Sequence, residues 1–250
     1  MASDVRAVST ALAADKTAPL ASAPPRPRRW LQFSIRTMLL LTGAAAVLMS
    51  VLGVPLFRLR REQLAVERLE ESGARLTSEA ARGMIAWAAA KFFGPEAAMH
   101  VTKVDLAWQP VDDDLALHLG HLEHLTTLNV NGAAITDRGL ARLGGCRSLE
   151  RLEMHGAPIT DAGLDHLATL TALEIVDFSN TKITGTNLGP FLHLPALEVL
   201  NLNGTPLTDA AQPVLVRMQH LRWLGVSHTR LSEAARDALA AALPTTAIDD

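Results

Sequence analysis

A period of 24 residues, unbroken from Val101 to Pro244, constrains this chain more than any other feature of its sequence. A fixed period of this length predicts a solenoid, in which each unit buries its apolar side chains against the next. One unit cannot stand alone, because ordering its backbone costs about 1–2 kcal/mol per residue, more than burying its roughly seven apolar side chains returns. Six units begin at equivalent apolar residues: Val101, Leu125, Leu149, Leu173, Leu197 and Leu221.

Each unit changes its hydrophobic period part-way along. In the third unit, Leu149, Leu152 and Met154 have the spacing of a short strand with one buried face. Thr160 and Asp161 then supply a hydrogen-bond acceptor and a negative charge where a helix would begin. We therefore expect one strand of a parallel sheet and one short helix from each unit. Between the two elements stand residues that tolerate a positive φ: Gly132, Gly156, Asn180 and Gly204.

This pattern resembles the leucine-rich repeat, in which L-x-x-L-x-L is followed by a turn and a helix. The Ile-Thr-Asp-x-Gly-Leu version, at residues 135–140 and 159–164, is similar to repeats of ubiquitin-ligase substrate receptors and of many bacterial proteins. The resemblance implies an α/β fold, a right-handed solenoid with a six-stranded parallel sheet inside and short helices outside. The layout over residues 30–244 resembles bacterial single-pass membrane proteins with such repeats, and it implies binding rather than catalysis.

The units depart from the family pattern at several positions. Trp108 occupies the glycine position of the first unit, and Gln212 and Arg236 replace a core leucine in the last two. We expect the helices of those last two units to pack less well. Threonine hydroxyls can donate to nearby backbone, which alanine cannot do. The family's Asn or Cys after the strand is replaced throughout: Gln109, Ala133, Ala157, Thr181, Thr205 and Thr229.

The residues ahead of the repeats predict a membrane anchor. Residues 1–36 form a basic tail rich in proline and arginine, for which disorder is expected. Residues 37–57 carry no charge, and a helix of that length reaches about 31 Å, enough to cross a hydrocarbon core of about 30 Å. Pro55 falls in its last turn, where a lost hydrogen bond is tolerable. A cleaved signal peptide is the alternative, but the arginines after Phe57 do not resemble a processing site.

The remaining boundaries follow from composition. Residues 58–73 are predicted to form a charged helical stalk, and residues 74–100 a capping segment. An amphipathic helix over residues 79–93 is expected to cover the open end of the first repeat. The six repeats then fill residues 101–244, and residues 245–250 are a C-terminal tail.

Charge separates the anchor from the repeats. Residues 1–61 carry nine Lys or Arg against two acids, whereas the rest carries 14 against 24. An acidic folded part argues against nucleic acid as a partner. The basic residues on the two sides of the predicted span are balanced, but the tail has few acids. We therefore expect the tail inside the cell and the repeats on the extracytoplasmic side of a bacterial cytoplasmic (inner) membrane.

No residue pattern predicts catalysis, a cofactor or a metal site. His118, His121 and His124 have helical spacing, but the register places them on the outer helix and its return loop, where solvated histidines are more common than zinc ligands. The run of acids at 112–114 lacks the spacing of a calcium loop and is typical of a helix cap. Cys146 aligns with core positions, which predicts a buried, inert thiol. Phosphate-loop and hydrolase motifs are absent from the sequence, so an enzyme is not expected.

The strand residues that alternate with the leucines should line the concave face of the solenoid. Most are polar, but Ile175, Val199 and Trp223 fall at equivalent positions, about 4.8 Å apart on neighbouring strands. A solvated face has no folding reason to carry them, so they predict a binding patch. The alternative is that the C-terminal tail covers them. Polar neighbours are expected to take part in binding: Asp177, Asn201, Glu153 and Arg151.

Two functions from different classes follow. The favoured hypothesis is a membrane-anchored module that binds a protein or peptide on its concave face. The alternative is a structural component of the cell envelope that self-associates through its transmembrane and stalk segments.

Overall fold

The computed structural model describes residues 35–49, 54–81, 86, 90–91 and 99–250. The chain divides into two units, Met1–Ala46 and Val47–Asp250.

Helix α1 (Ile35–Leu48) accounts for the described part of the first unit. Its apolar side chains between residues 38 and 47 are open to solvent, and Leu39 and Leu40 are 67% and 74% exposed. The Thr42 hydroxyl donates to the carbonyl oxygen of Met38 at 2.9 Å, so its polar group is satisfied within the helix. Across the residues described, no helix combines the length and apolar character that crossing a bilayer requires.

The predicted membrane segment, residues 37–57, does not coincide with one described helix. It overlaps α1 and the start of α2 (Val54–Glu71), while residues 50–53 lie outside the described part of the chain. Pro55 therefore lies in the first turn of α2 rather than in the last turn of a spanning helix. A proline in a first turn sacrifices no helical hydrogen bond, which accounts for its place there.

In its described residues, the second unit is built on one eight-stranded sheet whose strands follow the order of the sequence. Strand β1 runs antiparallel to β2, and every later strand runs parallel to its predecessor. The strands are β1 (Arg75–Ala80), β2 (Met99–Asp105), β3 (Thr127–Asn129), β4 (Arg151–Glu153), β5 (Ile175–Asp177), β6 (Val199–Asn201), β7 (Trp223–Gly225) and β8 (Ala247–Asp249).

In the parallel part of the sheet, paired residues are 24 positions apart in the sequence, which is the repeat period. Leu128 pairs with Leu152, and Val176 pairs with Leu200, each one period apart. These central strand residues have no exposed surface, whereas their strand neighbours are half-buried or exposed on the other side. The alternation predicted from the sequence is thus confirmed.

The outer layer consists of short helical segments, each between two strands. The α-helices are α3 (Asp113–Leu119), α4 (Asp137–Arg142), α5 (Gln212–Leu215) and α6 (Glu233–Ala242). Turns of 3-10 helix occupy Leu143–Gly145, Asp161–Thr169, Gly189–His193 and Asp209–Ala211. Tight 3-10 geometry is common in such short segments, and it replaces the α-helix expected in the third and fourth repeats.

The turn after each of the strands β2 to β7 contains one residue with a positive φ, as the sequence predicted for the glycines and Asn180. Trp108 and His228 occupy the same position, with φ of 63° and 55°, although a side chain there is strained. The complete column is Trp108, Gly132, Gly156, Asn180, Gly204 and His228.

The threonines after the strands form the side-chain hydrogen bonds to nearby backbone that the sequence predicted. Thr181, Thr205 and Thr229 each donate to the carbonyl oxygen three residues earlier, at 2.7, 2.6 and 2.6 Å. Ala133 and Ala157 are buried at the equivalent positions and have no hydroxyl to donate.

The helix ahead of the repeats is not a free stalk. Ala65 and Leu69 of α2 are fully buried and belong to the core of the repeats. Glu62 is 8% exposed, and its carboxylate accepts from the Val101 backbone N–H at 3.2 Å and contacts His100 Nδ1 at 3.1 Å. Helix α2 therefore caps the first repeat, because its apolar stripe covers the core that the first repeat would otherwise expose.

The expected capping helix over residues 79–93 is wrong at its start. Glu79 and Ala80 belong to β1, which adds an antiparallel strand beside the first repeat. The stripe that suggested the helix lies outside the described residues, but Ala86, Ala90 and Lys91 of the same segment are helical. Helix α2 and strand β1 both lie against the first repeat, in addition to the expected helix.

The C-terminal residues form part of the sheet. Trp223 pairs with Ala247, and Leu224 pairs with Ile248, so β8 continues the 24-residue register beyond the sixth repeat. The expected six-stranded sheet is therefore too small, and the prediction of a separate tail missed a strand. The Thr246 hydroxyl donates to the Leu221 carbonyl oxygen at 2.7 Å, which fixes the start of this strand.

Two polar residues replace a core leucine in the last two repeats. Gln212 and Arg236 are both half-buried. The Nε of Arg236 is buried and finds no hydrogen-bond partner among the described residues. Helix α6 is nevertheless the longest helix of the repeats, since Ala235 and Leu239 hold its inner face in the core.

Candidate functional site

Three apolar side chains lie side by side on the sheet face opposite the core, which we call the open face. Ile175 pairs in register with Val199, and Val199 pairs with Trp223. All three are half-buried, while the intervening core residues are fully buried. Strand spacing places them about 4.8 Å apart. Ile175, Val199 and Trp223 form what we call the apolar patch.

The indole of Trp223 lies along its own strand. A Cβ atom added at Gly225 would sit 2.5 Å from the Cη2 atom of Trp223, and the side-chain oxygens of Asn201 and Asn203 would be 2.8 Å away. The glycine therefore leaves the space that the ring occupies. The sequence suggested no role for Gly225, and the structure shows that the indole lies over it.

Asp177 and Asn201, which follow the patch residues on their strands, accept hydrogen bonds from the backbone two residues further along. Asp177 Oδ1 accepts from the backbone N–H of Ser179 at 2.8 Å and from its hydroxyl at 2.5 Å. Asn201 Oδ1 accepts from the backbone N–H of Asn203 at 3.1 Å. These bonds close the turn after each strand and fix the carboxylate and amide beside the patch.

The neighbouring strand carries an ion pair. Arg151 is in register with Ile175, and Glu153 is in register with Asp177. The side chains of Arg151 and Glu153 form an ion pair at 3.6 Å and are 44% and 27% exposed. Such a pair contributes at most about 1 kcal/mol in solvent. Both residues predicted beside the patch therefore adjoin it, with their charges directed at each other.

A ladder of side-chain hydrogen bonds joins neighbouring repeats at the ends of the strands. Asn131 Oδ1 accepts from the backbone N–H of His155 at 2.8 Å, and Asn203 Oδ1 accepts in the same way from Ser227 at 2.7 Å. Asn203 Nδ2 also donates to Asp249 at 2.9 Å. Each bond spans one or two strands, so this edge of the open face is held rigidly.

Trp108 is an aromatic residue whose possible role the sequence reasoning did not recognise. It is 72% exposed, the most exposed large apolar side chain of residues 99–250. Its ring lies over Gly132 and approaches the ring of His155 edge-on at 6.0 Å. An aromatic residue in a column of glycines is the signal that could have identified it.

The three histidines at helical spacing do not converge on one point. The rings of His118 and His121 meet edge-on at 6.4 Å, while His124 lies against His100 of β2 at 4.0 Å. Burial, together with the positive charge of Arg61 and the proximity of His118, lowers the pKa of His121. Within the described residues, no group of three potential ligands is arranged to hold a metal ion.

Two other sequence predictions are confirmed. Asp112 caps α3, where its carboxylate accepts from the backbone N–H groups of Asp114 and Leu115 at 3.1 and 3.0 Å. Cys146 is fully buried, its Sγ contacts the Leu119 carbonyl oxygen at 3.2 Å, and burial raises the pKa of its thiol to about 12. A thiol that stays protonated at neutral pH is a poor nucleophile.

Comparison with known proteins agrees with this architecture. A family model described as "Leucine Rich repeat" matches residues 121–144. An internalin (inlF) of Listeria monocytogenes superposes with a TM-score of 0.50 at 16% identity, over 67% of this chain. The fold is a leucine-rich-repeat solenoid. The chain spans about half of that internalin, 51% of its length, and the likeness concerns the fold alone.

Two further solved leucine-rich-repeat structures show lower similarity. The ectodomain of the receptor kinase SOBIR1 of Arabidopsis thaliana has a TM-score of 0.47 at 16% identity, covering 69% of this chain and 96% of its own. An internalin C2 of Listeria monocytogenes has a TM-score of 0.45 at 19% identity, covering 65% and 80%. No curated protein sequence matches the chain significantly. The comparisons indicate no catalytic family.

Proposed function

We propose that this leucine-rich-repeat chain is a membrane-anchored module that binds a protein or peptide on its open face. The observation that carries the proposal is the apolar patch, three apolar residues in register on a face that is otherwise polar. Core packing does not require them there, because the buried side of each strand already holds a leucine or valine. An apolar centre with a polar rim is the usual anatomy of a binding surface.

The anchor belongs to the same proposal. Residues 37–57 are uncharged, and α1 exposes apolar side chains such as Leu39 and Leu40 to solvent. Such side chains are stable in contact with lipid, since each exposed leucine costs free energy in water. The orientation that we propose places the repeats on the extracytoplasmic side of a bacterial cytoplasmic membrane.

One observation weighs against the structural alternative. Self-association through the stalk requires a free apolar stripe on α2, but Ala65 and Leu69 of that stripe are buried in the core of the repeats. The binding function is therefore favoured over a component that assembles through its stalk.

Site-specific photo-crosslinking in the native membrane tests the proposal. A photoreactive residue would replace Val199 in the patch or, as the control, exposed Ala141 on the outer helix α4. We expect a discrete adduct of one partner at position 199 and none at position 141. Equal adducts at both positions, or none at either in the presence of its native membrane, would contradict binding at the open face.

A further inference from the structure

We propose that the apolar patch binds a basic peptide segment, one in which arginine or lysine stands beside an apolar residue. The inference rests on the proposed function and adds the charge of the ligand. It follows from an imbalance of charge around the patch, which differs from the balanced half of the same open face.

The balanced half lies over the first repeats. Lys103 and Asp105 share one face of β2, and Arg151 and Glu153 form the ion pair on β4. Opposite charges on the same strand cancel within a few ångströms. This half has no preference for the charge of a ligand.

The half around the patch is acidic. Arg222, which precedes Trp223, is paired with Glu198 through its Nε at 3.2 Å. Asp177 follows Ile175 on the same face. A ligand on the patch therefore meets more negative charge than positive.

A second carboxylate lies at the far side of the indole. Asp249 of β8 is in register with Gly225, the residue on which the Trp223 ring lies. Its two oxygens accept from Ser227 at 3.0 Å and from Asn203 at 2.9 Å, which hold it in place. The indole thus has acidic residues on the two sides of its patch, Asp177 and Asp249.

The carboxylates keep capacity for a ligand. Both hydrogen bonds from Ser179 fall on Oδ1 of Asp177, so its Oδ2 has no partner within the described residues. A carboxylate has about four acceptor positions, and the guanidinium of arginine donates in a fork that fits them. The same planar group stacks on an indole face, and an adjacent apolar side chain can cover Ile175 and Val199.

The experiment uses a phage-displayed random peptide library and the full-length chain in detergent micelles. Peptides are selected on the native chain and depleted on Trp223→Ala, so that only ligands of the patch remain. Their affinities are then measured for Asp177→Asn, with Asp237→Asn, an exposed acid of α6, as the matched control. The asparagine variant keeps an oxygen that can accept from Ser179, so the turn stays closed.

We expect the selected peptides to carry Arg or Lys next to an aliphatic or aromatic residue. Their affinity should fall about tenfold for Asp177→Asn, weaken with added salt, and stay unchanged for Asp237→Asn. Neutral or acidic peptides that still need Trp223 would overturn the inference and leave the proposed function standing. Failure to enrich any peptide that needs Trp223 would overturn both.

Discussion

The carboxylate of Asp161 accepts hydrogen bonds from both the backbone N–H and the hydroxyl of Thr184, one repeat further along the chain, at 2.8 and 2.7 Å. Asp137 engages Thr160 in the same way, and Asp113 engages Thr136. The aspartate of each Thr-Asp pair therefore ties its own repeat to the helix start of the next.

The glycine of the Ile-Thr-Asp-x-Gly-Leu motif leaves the space that the aspartate carboxylate of the preceding repeat needs. A Cβ added at Gly139 would collide with the carboxylate of Asp113, and one at Gly163 would collide with that of Asp137. The Ile-Thr-Asp-x-Gly-Leu pattern thus encodes contact between repeats, since threonine donates, aspartate accepts and glycine leaves room. In the fourth repeat Gly185 replaces the aspartate, and Thr208 bonds to the Thr184 carbonyl oxygen instead, at 3.1 Å.

Removing one tie should loosen the stack. Asp161→Ala leaves the backbone N–H groups of Thr184 and Gly185 without their acceptor, so we expect a loss of about 2–3 kcal/mol in the free energy of unfolding. Glu150→Ala is the control, because its exposed carboxylate has no partner within the described residues. Urea denaturation of the two variants measures the difference, and equal midpoints would show that the tie does not stabilise the fold.

Acid should weaken the same ties. Burial acts to raise the pKa of Asp161, but hydrogen bonds from Thr184, Asn187 and Gly185 outweigh it and hold the pKa below the ordinary 3.8; Asp113 behaves alike through Thr136. A lowered folded-state pKa stabilises the protein above the unfolded value, and the contribution disappears as the pH falls through and below 3.8.

The free energy of unfolding from urea titrations should therefore vary little from about pH 7 to pH 5 through these groups and fall below about pH 4. Asp161→Asn should show a shallower acid slope than the native chain. Identical slopes would exclude Asp161 from the acid response.

Strand register can be tested at two adjacent residues. Leu152 is fully buried between neighbouring strands, whereas Glu153 is half-buried on the open face. Leu152→Asp places an unpaired charge in the core and should abolish cooperative thermal unfolding. Glu153→Lys should leave the thermal midpoint within a few degrees, since surface changes cost about 0.5 kcal/mol or less. Similar midpoints for the pair would mean that the register is wrong by one residue.

Helix α2 offers a matched pair of leucines. Leu69 is fully buried in the core of the repeats, and Leu64 is 52% exposed. We expect Leu69→Ala to cost about 2–4 kcal/mol and to speed amide hydrogen exchange in β2, because the cap over the first repeat is weakened. Leu64→Ala should do neither. Equal exchange rates in the two variants would mean that α2 does not cap the first repeat.

The 24-residue period predicted the repeat register and the column of positive φ because both are set by spacing within one unit. It did not predict β8, since Thr245 stands where a valine or leucine starts each other unit, although Ile248 keeps the core position of Leu224. It also missed the docking of α2, because its charged residues outnumber the few apolar ones that form the buried stripe. Contacts outside the period depend on tertiary packing, which no spacing within a repeat encodes.

The apolar patch was likewise predictable only in part. Spacing placed Ile175, Val199 and Trp223 side by side, and the register confirms that arrangement. Where the indole of Trp223 lies could not be foreseen, because it depends on the space over Gly225 in the same strand. Trp108 was overlooked as a candidate for binding because the glycine column was considered only for its backbone.

The most direct test of the central claim is a paired measurement on Trp223→Ala in the full-length chain. The Kd for the partner captured at position 199 and the thermal midpoint are measured together, with Leu117→Ala on the outer helix α3 as an exposed apolar control. We predict that Kd rises about thirtyfold or more, equivalent to about 2 kcal/mol, while the midpoint changes little. An unchanged Kd with a lowered midpoint would contradict the account and make Trp223 a packing residue for β7.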